Sequence, residues 1–191
     1  RPAMCEGKDA LQEAIDAAVA GDIIEIADGT YTLTGTLNVN KDVTLIGASE
    51  ACVTIDASAL DGYGIHLTAD GATLSTFTLL GPEAGSPSGN YGIKAGPNSG
   101  SPADRLTDIT IEKVTVSGSP RSEIDLNGVD GALLQDITAN GGGTAGVGIA
   151  LTDSANITLE NISTSGNAWG SVAIYLANRG VEVVRLDAVA F

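Results

Sequence analysis

The chemistry open to this chain rests on a small set of side chains. His66 is the only histidine among 191 residues, and with Lys94 it is suited to take a proton. Tyr175 would return one, and Arg105 would hold a carboxylate. Asp125, Glu123 and Asn127 form a short polar group, and Arg121 adds a second guanidinium. Trp169, the single tryptophan, would with Tyr175 stack on a flat ring. An ordinary reading stands beside this one. Outward strand positions are polar because they meet water, and Lys94 with Asp125 would then be a surface ion pair.

A repeat brings these residues together. One short unit, Gly64-Ile65-His66-Leu67, recurs as Gly92-Ile93-Lys94-Ala95, Glu123-Ile124-Asp125-Leu126, Gly148-Ile149-Ala150-Leu151 and Ala173-Ile174-Tyr175-Leu176. A second unit follows each: Ala72-Thr73-Leu74, Ile109-Thr110-Ile111, Ala132-Leu133-Leu134, Ile157-Thr158-Leu159 and Val181-Glu182-Val183. Three residues after its second apolar position comes another: Phe77, Val114, Ile137, Ile162, Leu186. Short strands repeating every ~22–25 residues describe a solenoid of stacked coils that bury aliphatic columns. Within the first unit Ile65 and Leu67 point inward and His66 outward. The outward column is then Asn38, His66, Lys94, Asp125, Ala150 and Tyr175, with coils about 4.8 Å apart. Glu123 and Asn127 flank Asp125 on that face. The residue before each second unit is Gly71, Asp108, Gly131, Asn156 or Gly180, types that tolerate positive φ, so one bend is reused in every coil.

Composition agrees. The 25 glycines are largely turn residues. The scarcity of rings, with one Trp, four Tyr and two Phe, suits a core of thin aliphatic columns. A chain that is 43% hydrophobic is not disordered. The glycines follow no collagen period, and no apolar run is long enough to span a membrane. Nine basic against 24 acidic residues, a net charge of −15, speak against a nucleic-acid surface. The same charge opposes an anionic polymer unless Lys94, Arg105 and Arg121 cluster or a cation bridges.

Asp9 to Ala20 has helical spacing, with Asp9 as N-cap and Gly21 as stop. This helix, within a cap of residues 1–22, would cover the open end of the sheet. The opening Asp9-Ala10-Leu11-Gln12-Glu13-Ala14-Ile15, then Gly21-Asp22-Ile23-Ile24-Glu25-Ile26 to Gly29-Thr30-Tyr31, then Val43-Thr44-Leu45-Ile46-Gly47 and the coils carry a resemblance. Across essentially the whole chain, the sequence resembles the right-handed parallel β-helices of the pectin-lyase-like superfamily. The resemblance implies an all-β fold: one domain over residues 1–191, about six coils and an N-terminal helical cap. That superfamily spans polysaccharide lyases, polygalacturonases, epimerases, phage tailspikes and adhesins, so fold does not stand in for function. The catalytic motifs of its polygalacturonases, pectate lyases and mannuronan epimerases are absent.

The expectation that follows is a secreted, cell-surface or periplasmic domain that binds polysaccharide along an outer groove. If it cleaves or epimerises a uronate, Lys94 or His66 is the base, Tyr175 the proton donor and Arg105 the carboxylate holder. Asp125, Glu123, Asn127, Trp169 and Arg121 then contact the sugar. The alternative is a structural, adhesive or filament-forming module that associates end to end, because the chain ends abruptly at Phe191, as a fragment would. Two Gly/Pro/Ser loops between Leu80 and Leu106 flank Lys94 and suit binding. Cys5 and Cys52 would form a disulfide in an oxidising compartment. No cofactor is specified. Asp56, Asp61, Asp70, Asp130 and Asp153 near turns would suit Ca²⁺, though no loop has a recognised ligand spacing. Threonine columns at Thr78, Thr115 and Thr138 and at Thr73, Thr110 and Thr158 reflect β-propensity rather than a flat ice-binding array.

Overall fold

A computed structural model describes residues 8–97, 101–141, 146–175 and 184–190. Helix α1 (Lys8–Ala17) opens the chain, so Asp9 lies inside the helix rather than at its cap. The strands that follow are β1 (Ile23–Ile26), β2 (Gly29–Thr32), β3 (Leu37–Val39), β4 (Thr44–Gly47), β5 (Val53–Asp56), β6 (Tyr63–Leu67), β7 (Thr73–Leu80) and β8 (Tyr91–Ala95). They continue as β9 (Leu106–Ser117), β10 (Ser122–Asn127), β11 (Val129–Asn140), β12 (Val147–Thr152), β13 (Ala155–Ser165), β14 (Gly170–Tyr175) and β15 (Val184–Ala190).

Every ladder is parallel. One sheet runs β1-β4-β7-β9-β11-β13-β15, with β2 and β5 joined at its side, and the other runs β3-β6-β8-β10-β12-β14. The chain is therefore an all-β parallel solenoid of about six coils with one short N-terminal helix, as the repeat predicts.

Packing follows the columns. Leu37, Ile65, Ile93, Ile124 and Ile149 stack in register on one inner face. Leu45, Leu74, Ile111, Leu134 and Leu159 do so on the other. All ten are fully buried, each side chain contributing roughly 1.5–3 kcal/mol of transfer free energy. The reused bend is present: φ is 75° at Gly71, 59° at Asp108, 83° at Gly131 and 55° at Asn156, while Gly180 lies outside the described residues. A second left-handed step falls at Thr76, Lys113, Asp136 and Asn161. It explains the three-residue gap between Leu74 and Phe77 and its copies, since a bend there turns both neighbours inward.

The helix closes the end of the smaller sheet. Leu11 and Ile15, one turn apart, are buried. The Gln12 side-chain amide pairs with the edge-strand backbone, receiving Asn38 N–H at 2.9 Å and donating to Asn38 O at 3.1 Å. Lys41 Nζ donates to the helix-end carbonyls of Asp16 at 2.6 Å and Ala18 at 2.8 Å, which satisfies groups that a helix terminus leaves open.

The last coil departs from the expected spacing. Leu159 pairs with Leu186, not Val183, and Ala150 pairs with Ala173, not Tyr175. The sequence is degenerate at both places. Val181, Val183 and Leu186 have the same apolar spacing as Val184, Leu186 and Val189. Val172 and Ile174 have that of Ile174 and Leu176. At β14 the two frames differ by two residues, which keeps the inside–outside alternation. At β15 they differ by three, and the same two-then-three apolar spacing recurs there, so the pattern separates neither pair of frames.

Candidate functional site

The outer face of the β3-β6-β8-β10-β12-β14 sheet carries the expected column through its middle. His66 pairs with Lys94, Lys94 with Asp125, and Asp125 with Ala150. A second outward row, Tyr63, Tyr91, Ser122 and Val147, runs beside it. Between the two rows the strands bend at Gly64, Gly92, Glu123 and Gly148. A Cβ added at Gly92 would stand 2.5 Å from Val116 Cγ1 and 2.6 Å from Glu123 O, so the glycine row lets adjacent coils close at this corner.

The column is not a solvated stripe. Lys94 is 2% exposed and Asp125 4%, and Lys94 Nζ is ion-paired to Asp125 Oδ2. Burial nevertheless holds the Asp125 carboxyl above its ordinary range, against the pull of Lys94 and Arg121. The Lys94 ammonium also sits 4.9 Å from the centre of the Tyr91 ring, in cation–π range. Tyr63 meets two rings edge-on, His66 at 5.0 Å and Tyr91 at 5.6 Å between centroids. His66 is half-buried, and among the described residues its Nε2 has no hydrogen-bond partner. Burial lowers the His66 pKa below its ordinary value, a hydrogen bond to the Gly96 backbone works the other way, and the Lys94 charge lowers it further.

Next to the pair is a cavity of about 300 Å³, lined by Tyr91, Arg121, Ser122, Asp125, Asn127, Val147, Ala150 and Thr152. Arg121 covers its rim, with Cζ 5.1 Å from the centre of the Trp169 ring. Trp169 is 58% exposed. The structure thus brings together Lys94, Asp125, Asn127, Arg121 and Trp169, with His66 one coil away. Tyr91, Tyr63, Ser122 and Thr152 are members the sequence reading missed. Tyr63 and Tyr91 were detectable, because they stand one coil apart in the same register.

Other expected members lie elsewhere. Glu123 was expected on the outer face beside Asp125, but it is fully buried under the turn before β10, accepting a hydrogen bond from Ser119 N at 3.0 Å. Strict alternation misplaces it because the strand bends at its row. Arg105 precedes Leu106, whose N–H bonds Gly128 O at 3.0 Å, so the chain passes the turn where β10 ends. The Tyr175 backbone pairs with Thr152, two residues beyond the Ala150 column. Cys52 is exposed before β5, and Cys5 lies outside the described residues. Turn aspartates bond to their own neighbourhood: Asp56 Oδ1 accepts from Ser58 at 2.6 Å, Asp70 Oδ1 from Thr107 N at 2.8 Å and Asp130 Oδ1 from Asn156 at 2.6 Å. Among the described residues no three His, Cys, Asp or Glu side chains converge as a metal site requires, and no helix is long and apolar enough to cross a membrane.

Residues 63–185 match the family described as right handed beta helix region. No curated protein sequence matches the chain. The fold is similar to that of an alginate lyase from Paenibacillus sp. str. FPU-7, with a TM-score of 0.60 and 12% identity over 90% of this chain and 74% of that one. It is also similar to tailspike protein gp49 from Acinetobacter baumannii bacteriophage Fri1, a capsular polysaccharide depolymerase. There the TM-score is 0.53 and the identity 13%, over 96% of this chain and 48% of the tailspike. At these identities the likeness concerns the fold.

Proposed function

Because the chain belongs to the right-handed beta helix family, we propose that it engages polysaccharide along the outer face of its smaller sheet, across the cavity beside Asp125. The observation that carries this reading is the exposed Trp169 ring stacked on Arg121, which itself lines the cavity. An exposed aromatic face offers a sugar ring an apolar platform. The guanidinium offers a carboxylate two parallel donors, and Asp125 and Asn127 offer acceptors for hydroxyls. Two similar folds belong to an alginate lyase and to a capsular polysaccharide depolymerase, which supports the class of partner. Such a partner implies a secreted, surface or periplasmic location.

The chemistry proposed on that surface is lytic cleavage of a uronate. A base takes the C5 proton, the C4–O bond breaks, a C4=C5 double bond forms, and the leaving oxygen receives a proton. Arg121 would neutralise the uronate carboxylate, which acidifies C5. The direction of the His66 shift favours the neutral imidazole that a base requires. Lys94, the other candidate base, is ion-paired to Asp125 and would supply positive charge beside the cavity. Tyr175 is the proposed donor to the leaving oxygen.

The test is a panel of uronate and neutral polysaccharides, read by calorimetry for binding and by ultraviolet absorbance for the new double bond. We expect binding to at least one acidic polymer and an affinity loss of roughly tenfold in Trp169→Ala, with little change in stability. Binding to no polymer overturns the reading. Binding without a new double bond removes the lytic step and leaves the groove, and full turnover in Lys94→Ala removes Lys94 from the chemistry.

A further inference from the structure

Glu123 serves neither the groove nor the aliphatic core. It occupies the row that Gly64, Gly92 and Gly148 occupy in the neighbouring coils, and it is fully buried there. Its Oε1 accepts from Ser119 N at 3.0 Å. Among the described residues its Oε2 and the buried Ser119 Oγ make no hydrogen bond of good geometry, although the hydroxyl is near enough to pull on the carboxyl. A buried carboxylate is ordinarily matched by a cation or several donors. The groups around this one differ. Strands β8 and β12 present Gly92 and Gly148. The turn before β10 presents the amides of Gly118 and Ser119. The loop after β7 presents Glu83, whose carboxylate reaches the Gly118 Cα: a Cβ there would lie 2.6 Å from Glu83 Oε1. Lys94, Asp125 and Arg121 act across the outer face of β10, on the groove side.

We propose that Glu123 is held as a neutral acid bonded to Ser119, and that this contact is a pH-sensitive latch on the turn that carries Arg121. A neutral carboxyl leaves no buried charge at this corner and keeps its bond from Ser119 N at Oε1. Loss of the proton would set a second negative charge beside Glu83, where no cation faces it among the described residues. The turn would then part from the corner. Arg121, two residues before Glu123, would move with it and leave the Trp169 ring. Burial, against the pull of the Ser119 and Gly118 donors and with the Glu83 charge adding to it, raises the Glu123 pKa to about 8, so the latch would open in mildly alkaline solution. The latch is independent of what fills the groove. Its effect on a bound polysaccharide rests on the function proposed above.

The single tryptophan makes the movement readable. Fluorescence of Trp169 is followed from pH 6 to 9 in a Cys52→Ser background, without polysaccharide. We expect a change in emission with a midpoint near 8. Glu123→Gln, which keeps the shape and removes the charge, should hold the low-pH emission throughout. Glu83→Gln should move the midpoint down by about half a pH unit, since it removes a like charge. Emission flat across the range in the starting protein overturns the latch, as does a transition that survives in Glu123→Gln. Should Glu123→Gln fail to fold, Glu83→Gln decides alone, and an unmoved midpoint overturns the proposal. Because no ligand enters this assay, its failure is separate from a failure to bind polysaccharide.

Discussion

The two sheets present outer faces of opposite character. On the larger sheet the outward residues repeat: Thr54, Thr78, Thr115, Thr138 and Ser163 stand in one register row, and Thr44, Thr73, Thr110, Leu133 and Thr158 in another. Two of them bond to the turn at Glu50: Thr78 Oγ1 donates to Glu50 O at 3.0 Å, and Thr115 Oγ1 donates to the Glu50 carboxylate. On the smaller sheet no two successive outward residues in the His66, Lys94, Asp125, Ala150 column are alike, and the middle two are buried and ion-paired. Repetition is what the pleat asks of an exposed β-branched row. Variation from coil to coil, with charge taken out of water, costs stability unless every partner is present. The irregular face is therefore where a ligand would find its contacts.

That contrast can be broken by substitution. The largest effect is expected at the buried pair. Lys94→Met leaves Asp125 buried without its partner and should destabilise the fold by roughly 3–5 kcal/mol in urea denaturation. Lys94→Met combined with Asp125→Leu should recover most of that loss. A single substitution that costs nothing would show the pair to be solvated, and the two faces would then be alike.

A smaller effect attaches to Glu123. Its pKa of about 8 in the fold lies above the ordinary 4.5, so the folded chain binds this proton more tightly than the unfolded one. The destabilisation from ionising it is absent below pH 4.5, accumulates up to about pH 8 and stays constant above. Glu123→Gln should therefore gain about 3 kcal/mol at pH 7 relative to its own gain at pH 4, at roughly 1.4 kcal/mol per pH unit. Melting temperatures of both proteins across that range would show it. Parallel curves would mean that Glu123 titrates normally.

The smallest effect belongs to the repetitive face. Thr138→Ala and Thr158→Val should each stay within about 0.5 kcal/mol and leave polysaccharide binding unchanged. A loss of binding in either would move the groove to the other sheet.

The aliphatic columns were legible because their spacing is the fold: Leu74, Ile111, Leu134 and Leu159 can align in one way only, and they do. The bend before each second unit was legible because Gly71, Asp108, Gly131 and Asn156 share a conformational tolerance. The adjacency of Lys94 and Asp125 was legible from the same count, but their burial was not. Exposure depends on neighbours such as Tyr91, whose contribution appears only when rings from adjacent coils are laid side by side. Glu123 was misplaced because alternation assumes a straight strand. The glycines at the same row in three neighbouring coils were the available sign of a bend. The last coil was misaligned because its valines fit two frames equally well.

The in-register ladder has one more consequence. Asp130 stands directly above Ala155, and Asn140 above Ser165, at a constant offset of 25 residues. A segment of that length, duplicated or removed at the bend, would rejoin strands already aligned, since each coil touches mainly its neighbours. Length is thus a modular variable of this architecture. Whole coils could be gained or lost by in-frame duplication or deletion while the surfaces at either end stay intact, so the reach of the groove along the axis could change without redesign of its chemistry.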